Sequence, residues 1–291
     1  MLRPYLLLLT ITFLTIGSSC RKSEPKPKEE TRKYLFVGHT YAGTNLIDHR
    51  IIPHLSRTLY DQFWLGGDMC SETTADSLTL EYLDGLFDLG SPKTHWTLGN
   101  HDIRNGNLQW ITKKTKRPTF YSANFNGICL LVLNTNFGHG GYDTLAVNAQ
   151  YEKVKKVCDT LQAVSHLIVL SHHVCWARVA GLDSAQVAAN ANGAWLKWRF
   201  NPQEYFEDAI YPLLLQVKNK GINVINLAGD FGQESTEYYQ QSPDGIHFIG
   251  SGITSDIPWN TQFQTHGLED KILIFEHNLE TQALHWYFEV L

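Results

Sequence analysis

Leu98-Gly99-Asn100-His101-Asp102 closes the short run Thr94-His95-Trp96-Thr97 with a glycine followed by an amide, an imidazole and a carboxylate. The run is strand-like, and a glycine lets the chain turn sharply where a strand ends. The three polar side chains would then be presented together at the carboxyl end of a strand, where open α/β sheets place their ligands. Alone, Gly-Asn-His-Asp reads equally well as a polar turn. Three further stretches decide between these readings. Phe63-Trp64-Leu65-Gly66 delivers Gly67-Asp68; His166-Leu167-Ile168-Val169-Leu170-Ser171 delivers His172-His173; Ile222-Asn223-Val224-Ile225-Asn226-Leu227-Ala228 delivers Gly229-Asp230. Four apolar runs, each ending in Asp, Asn or His, point to one ligand cluster.

Working outward, Tyr34-Leu35-Phe36-Val37 reads as a buried strand ending in Gly38-His39-Thr40-Tyr41. Residues 45–60 fit a crossover helix with Leu46, Ile47, Ile51 and Leu55 apolar, interrupted by Pro53, and residues 74–89 fit a second helix. This β-α-β-α-β order predicts a parallel sheet. Residues 119–124 and 127–134 form an antiparallel pair joined through Asn126-Gly127. Helices are predicted at 147–164 and at 203–220, the latter ended by Gly221. After Asp230 the pattern is all β, at 236–240, 246–249, 271–276 and 283–289, read as a meander. Parallel units first and strands last suit a mixed α/β fold of two packed sheets flanked by helices. The Ala/Asn-rich stretch 176–202, with Trp195, Trp198 and Arg199, is either a wall of a substrate cleft or a surface insertion whose tryptophans cover core.

The start of the chain reads differently. Arg3 precedes an apolar run from Tyr5 to Ile16 that is too short to span a bilayer core of about 30 Å and suits a signal peptide over residues 1–19. Gly17-Ser18-Ser19-Cys20 matches a bacterial lipoprotein signal with Cys20 lipidated, or an ordinary secretory signal cut nearby. Both predict export to the cell envelope, with a membrane anchor in the first case. Residues 20–33, rich in Pro, Lys and Glu, read as a disordered tether. That tether carries +3 and Arg3 +1, so a total of −5 leaves −9 on the single domain predicted over residues 34–291. Such a body argues against a broad nucleic-acid-binding face and permits a small anionic substrate held by metal. Cys129 and Cys158 read as buried apolar residues; Cys70 and Cys175, each following a ligand motif, leave a bridge between them open.

These motifs resemble the calcineurin-like metallophosphoesterases, a family that includes purple acid phosphatases and cyclic-nucleotide and phosphodiester hydrolases. The family's ordered motifs are Asp-x-His, Gly-Asp, Gly-Asn-His-Asp/Glu, a lone or doubled His after an apolar strand, and Gly-His-x-His. The match runs from about Lys33 to the C-terminus and is specific in the middle three motifs. It implies a four-layer αββα sandwich of two mixed β-sheets and hydrolysis of a phosphomonoester or phosphodiester by a metal-bound hydroxide. In that scheme Asp68 matches the bridging carboxylate, and Asn100 and His172 match ligands of the second metal. His101 matches the outer-sphere histidine that assists the leaving oxygen, with Asp102 as its catalytic partner. His173 is then a packing or rim residue, because alternate residues of a strand face opposite ways.

Both ends depart from the family. His39-Thr40-Tyr41 stands where Asp-x-His is usual, and Gly229-Asp230-Phe231-Gly232 where Gly-His-x-His is usual. The first metal loses two imidazoles and exchanges an Asp for His39; the second exchanges a His for Asp230. The expected metal set is therefore His39, Asp68, Asn100, His172 and Asp230, with Tyr41 as a ligand or a contact to the metal's water. So oxygen-rich a set favours Mn, Fe, Zn or Mg without selecting among them. One tight ion with a second weak or absent is the leading expectation. Two rivals stand beside the phosphoesterase: a non-catalytic lipoprotein that binds metal or a phosphorylated ligand on the same fold, and a hydrolase of another ester or anhydride.

Overall fold

The computed structural model describes residues 30–41, 45–138, 143–190, 196–200, 202–231, 236–253 and 269–291. Within them the first sheet holds β1 (Thr31–Val37), β2 (Gln62–Leu65), β3 (Thr94–Trp96), β10 (Lys271–Asn278) and β11 (Leu284–Val290), in the order β11-β10-β1-β2-β3. The second holds β4 (Tyr121–Phe125), β5 (Ile128–Val132), β6 (His166–Ser171), β7 (Asn223–Ala228), β8 (Glu237–Gln241) and β9 (His247–Ser251), in the order β4-β5-β6-β7-β9-β8. Both are mixed. β1, β2 and β3 run parallel, with β10 and β11 antiparallel beside them. β5, β6, β7 and β9 run parallel, with β4 and β8 antiparallel at the edges. The helices are α1 (Ser77–Phe87), α2 (Asn100–Ile103), α3 (Leu108–Thr115), α4 (Thr144–Thr160), α5 (Ser184–Asn190), α6 (Phe206–Ala209) and α7 (Tyr211–Asn219).

Strand alternation explains the layering. Tyr34, Phe36 and Trp64 of the first sheet meet Leu130, Val132, Ile168, Leu170 and Leu227 of the second in a core between the sheets. Leu35, Val37, Phe63 and Leu65 point the other way, onto Leu80, Leu83 and Phe87 of α1 and Ile111 of α3. Leu131, Leu167 and Val169 point outward onto α4, α6 and α7 through Val154, Phe206 and Leu213. Parallel strands need helical crossovers, and these cover both outer faces. The result is the mixed α/β architecture of two mixed sheets flanked by helices, in four layers.

Several local expectations are corrected. β1 takes in Thr31, Arg32 and Lys33, which composition assigned to the tether: Arg32 bonds Asp61 at 2.8 Å, and Lys33 pairs with Glu276 at 2.7 Å. Residues 1–29, with the predicted signal and Cys20, lie outside the described residues. Residues 45–60 form no α-helix but a 3-10 turn over Ile52–His54; Arg50 clamps Asp48 and Asp270 at 2.6 Å each, and Leu46 and Ile52 face solvent. The helix expected over 203–220 breaks into α6 and α7 at Ile210, where Pro212 starts the second piece. The late strands form no single meander: β8 and β9 join the second sheet, β10 and β11 the first.

Other expectations hold. Asn126 and Gly127, with φ of 48° and 80°, make the tight turn between β4 and β5. Trp198 is buried in the core beneath α6, so the core-covering reading holds for it; Trp195 lies outside the described residues. Cys70, Cys129, Cys158 and Cys175 are all buried free thiols. No Cys70–Cys175 bridge forms, because Cys70 sits in the outer core of the first sheet and Cys175 in that of the second. No described helix is long and apolar enough to cross a membrane.

Candidate metal centre

Three glycines join the sheets where their parallel strands end. Gly38 follows β1, Gly66 follows β2 and Gly229 follows β7. A Cβ on Gly38 would lie 2.6 Å from the Gly229 Cα, one on Gly66 would lie 2.9 Å from that same atom, and one on Gly229 would strike the Gly66 carbonyl. Main chain therefore rests on main chain, and the residues after these glycines converge from both sheets.

Asp68 is the centre of that convergence. It is buried, with a φ of 51° beside Gly67 at 88°, a left-handed conformation that costs a non-glycine residue about 1–3 kcal/mol unless its surroundings over-determine it. Here they do. The Asp68 N–H donates to Asp102 Oδ2 at 2.8 Å, and the His101 N–H donates to Asp68 Oδ1 at 2.8 Å. Gly99 has no side chain where the Asp68 carboxylate lies, so α2 begins directly against it.

His172 reaches Asp68 from the second sheet. Its Nδ1–H donates to the Gly66 carbonyl at 2.8 Å, which leaves Nε2 turned toward Asp68 Oδ2 at 3.5 Å, buried and without a hydrogen bond. Burial alone would lower the His172 pKa; Asp68, backed by Asp230, outweighs it and raises the value to about 10. Conversely, burial would raise Asp68, but His172, His101 and His39 hold it below the usual carboxylate range.

His101 lies on the same carboxylate. Its Nδ1–H donates to the Ser71 carbonyl at 2.8 Å, so Nε2 faces Asp68 Oδ2 at 4.0 Å. Burial lowers its pKa, with Asp68 acting in the opposite sense. The Tyr41 ring stacks on it at 4.6 Å, and the His39 ring follows at 4.7 Å from Tyr41. His39 is itself left-handed, with Nδ1 at 3.0 Å from the Ile253 carbonyl. Burial, then Asp68, pushes the Tyr41 hydroxyl up to about 12, so the phenol keeps its proton.

Two residues take parts that sequence reasoning did not assign. The Asp102 carboxylate accepts from the N–H groups of Asp68, Met69 and Gly99 and from the Thr73 hydroxyl, at 2.7–3.1 Å, while the His101 ring donates to the Ser71 carbonyl instead. It ties the turn after β2 to the turn after β3. Burial, with Asp68 alongside, pushes its pKa up to about 6 despite those donors. His173, expected to pack or to stand at the rim, is fully buried, and one ligand atom from each of His172, His173 and Asp230 lies within 4.8 Å of the others. The strand alternation that argued against it stops at Ser171, where β6 ends, and the Thr135 hydroxyl holds His173 Nδ1 at 2.6 Å.

The structure thus brings together Asp68, His101, His172 and Asp230, sets His39 and Tyr41 beside them, places Asn100 at the start of α2 between Gly99 and His101, and adds His173. The donors fit a divalent cation. A buried imidazole nitrogen lacks a hydrogen bond, its opposite nitrogen is oriented by a carbonyl in the way that metal-bound histidines are, and carboxylates flank it. Mixed imidazole and carboxylate donors do not select among Mn, Fe, Zn and Mg.

Fold and site define a two-sheet α/β sandwich with a histidine–aspartate centre at its joined strand ends. No family model matches the chain, and no curated protein matches it. Among solved structures it is similar to phosphopantetheinyl hydrolase of Mycobacterium tuberculosis, at 11% identity over 77% of this chain and 90% of that one, with a TM-score of 0.44. It is similar also to a Thermotoga maritima protein (12%, 89% and 99%, TM-score 0.40) and to vacuolar protein sorting 29 of Cryptosporidium parvum (8%, 90% and 98%, TM-score 0.37). Likeness at this level carries neither residue roles nor an activity across to this chain.

Proposed function

We propose that this chain is a metal-dependent phosphoesterase of the calcineurin-like kind that hydrolyses a phosphomonoester or phosphodiester. The observation that carries the reading is the Asp68 carboxylate, faced by His172 Nε2 at 3.5 Å and by His101 Nε2 at 4.0 Å. Asp68, His172 and Asp230, with His173, would hold the ion, and His39 and Asn100 flank them. When bound, a divalent cation supplies charge neutralisation at a phosphoryl group and a nucleophile at neutral pH. His101 is anchored at Nδ1, so a proton on Nε2 is the one it can pass to a leaving oxygen, and Asp68 steadies the ring while that proton is held. Tyr41 orients the ring by stacking. The net charge of −5 supports a small phosphorylated substrate rather than nucleic acid, and the sequence of residues 1–20 supports export with anchoring through Cys20.

One observation favours the alternative, a protein that binds metal or a phosphorylated ligand without turnover. Asp68, His172, His173 and Asp230 are all buried, a setting that retains an ion more readily than it admits an ester. Elemental analysis of the purified chain, alongside hydrolysis of aryl phosphomonoesters and phosphodiesters, separates the two. The enzyme carries metal and turns over, and His101→Ala lowers its rate about 10²–10⁴-fold with metal retained. Metal without turnover selects the binding protein; neither metal nor turnover with Mn, Fe, Zn or Mg rejects the hydrolase.

A further inference from the structure

α2 is a single turn whose N-cap Gly99 lies against the Asp68 carboxylate and whose His101 N–H donates to it. Its register continues one residue further, because Arg104 has helical dihedrals, φ −58° and ψ −27°. Residues three and four apart on a helix share a face, with Cβ atoms about 5–6 Å apart. Arg104 therefore stands on the face of His101, three residues before it, and of Asn100, four before it. Its side chain is exposed at the rim of the buried cluster, and its charge reaches the His101 ring and the Tyr41 hydroxyl.

What sets Arg104 apart is its lack of commitments. Arg32, Arg50, Arg178 and Arg199 each pair with a carboxylate. Arg57 and Arg117 donate to backbone carbonyls. Among the described residues Arg104 alone of the arginines has no side-chain hydrogen bond or ion pair. A long cationic side chain left uncommitted beside a cluster of carboxylates and imidazoles is free to engage an anion that enters there.

We propose that Arg104 recognises the phosphoryl group of the substrate, and that the substrate class is a phosphomonoester. A guanidinium presents a planar fork of donors that binds phosphate through two parallel hydrogen bonds. A phosphomonoester offers three terminal oxygens and a charge of about −1.5 to −2 at neutral pH. A phosphodiester offers two such oxygens and a single charge. With the Asp/His cluster as one partner and Arg104 as the other, the monoester satisfies both with oxygens to spare.

The inference rests on the phosphoesterase reading and can fail separately from it. The native full chain and its Arg104→Ala and Arg104→Lys variants, each loaded with the metal that the native chain retains, are compared for metal content and, by titration calorimetry, for binding of inorganic phosphate and of dimethyl phosphate. Metal content should be equal in all three. Inorganic phosphate should bind about tenfold or more weakly to Arg104→Ala, the loss of a charge-assisted pair, and Arg104→Lys should recover part of that. Dimethyl phosphate, with two terminal oxygens and a single charge to share between the ion and the guanidinium, should lose less than inorganic phosphate does. Unchanged phosphate affinity in Arg104→Ala with metal retained overturns the role of Arg104, as does absence of phosphate binding by a metal-loaded native chain. Equal losses for phosphate and dimethyl phosphate overturn the monoester assignment. A native chain that takes up no metal overturns both this inference and the reading beneath it.

Discussion

β6 begins with one buried histidine, His166, and is followed by another, His172. His166 sits among His277, His247 and Lys218, with no carboxylate among the described residues acting on it, and burial pushes its pKa down to about 4. His172 faces Asp68 and is raised to about 10. His95 on β3, stacked on Phe125 at 5.9 Å, behaves as His166 does, pushed down to about 3 by burial and then Arg117. Burial is common to all three. The neighbouring carboxylate divides a ligand-like histidine from a structural one, and strand position alone does not reveal it.

Removing that carboxylate is the largest test. Asp68→Asn should abolish metal uptake, a loss beyond the 10–100-fold that removal of a supporting partner typically costs, whereas His166→Gln should leave metal content unchanged. Elemental analysis of both variants checks this, and an Asp68→Asn chain that still carries metal would erase the distinction. A smaller effect lies on the structural side. His95 resists protonation when folded and accepts it when unfolded, so its contribution to stability is complete above about pH 6.5 and is lost as pH falls toward about 3. Denaturant unfolding at pH 7, 6, 5 and 4 should show His95→Gln losing less stability than the native chain, by about 1 kcal/mol per pH unit. An identical acid limb in the two would mean that His95 titrates normally. The smallest effect belongs to Tyr41→Phe. With the hydroxyl already held neutral, metal content should not change and hydrolysis should stay within about threefold. Loss of metal in this variant would restore the phenolate-ligand reading.

The fold was legible wherever an apolar run decided it. β2, β5 and β6 are continuous buried runs, β7 is one after its exposed first residue Asn223, and Asn126-Gly127 marked its hairpin. Residues 45–60 misled because Leu46, Ile47, Ile51 and Leu55 imitate a helical period, while the segment is held instead by the Arg50 clamp and by the Asp48 N–H on the Thr40 carbonyl. At the site, Asp68, His101 and His172 were visible because each follows a strand that ends beside the others. Asp102 was visible as a residue but not as a tie, since its four donors are three N–H groups from two separate turns and the hydroxyl of a fourth residue, Thr73. His173 was hidden by extending strand alternation past Ser171. Arg104 lay two residues beyond the motif that drew attention to its helix, and only its missing partners distinguish it.

The contact of Gly38, Gly66 and Gly229 has a bearing on how the molecule comes apart. Where side chains separate two layers, their spacing can breathe as rotamers change; where bare backbone touches bare backbone, there is nothing to re-pack. The distance from Asp68 to His172 is thus set by the sheets themselves, whichever donors occupy the strand ends. Peeling one sheet from the other would disperse Asp68 from His172 and Asp230 in the same event that exposes the core between the sheets. Loss of the ion-holding geometry and loss of the folded state should then be a single cooperative transition, with no partly opened species that keeps one and lacks the other.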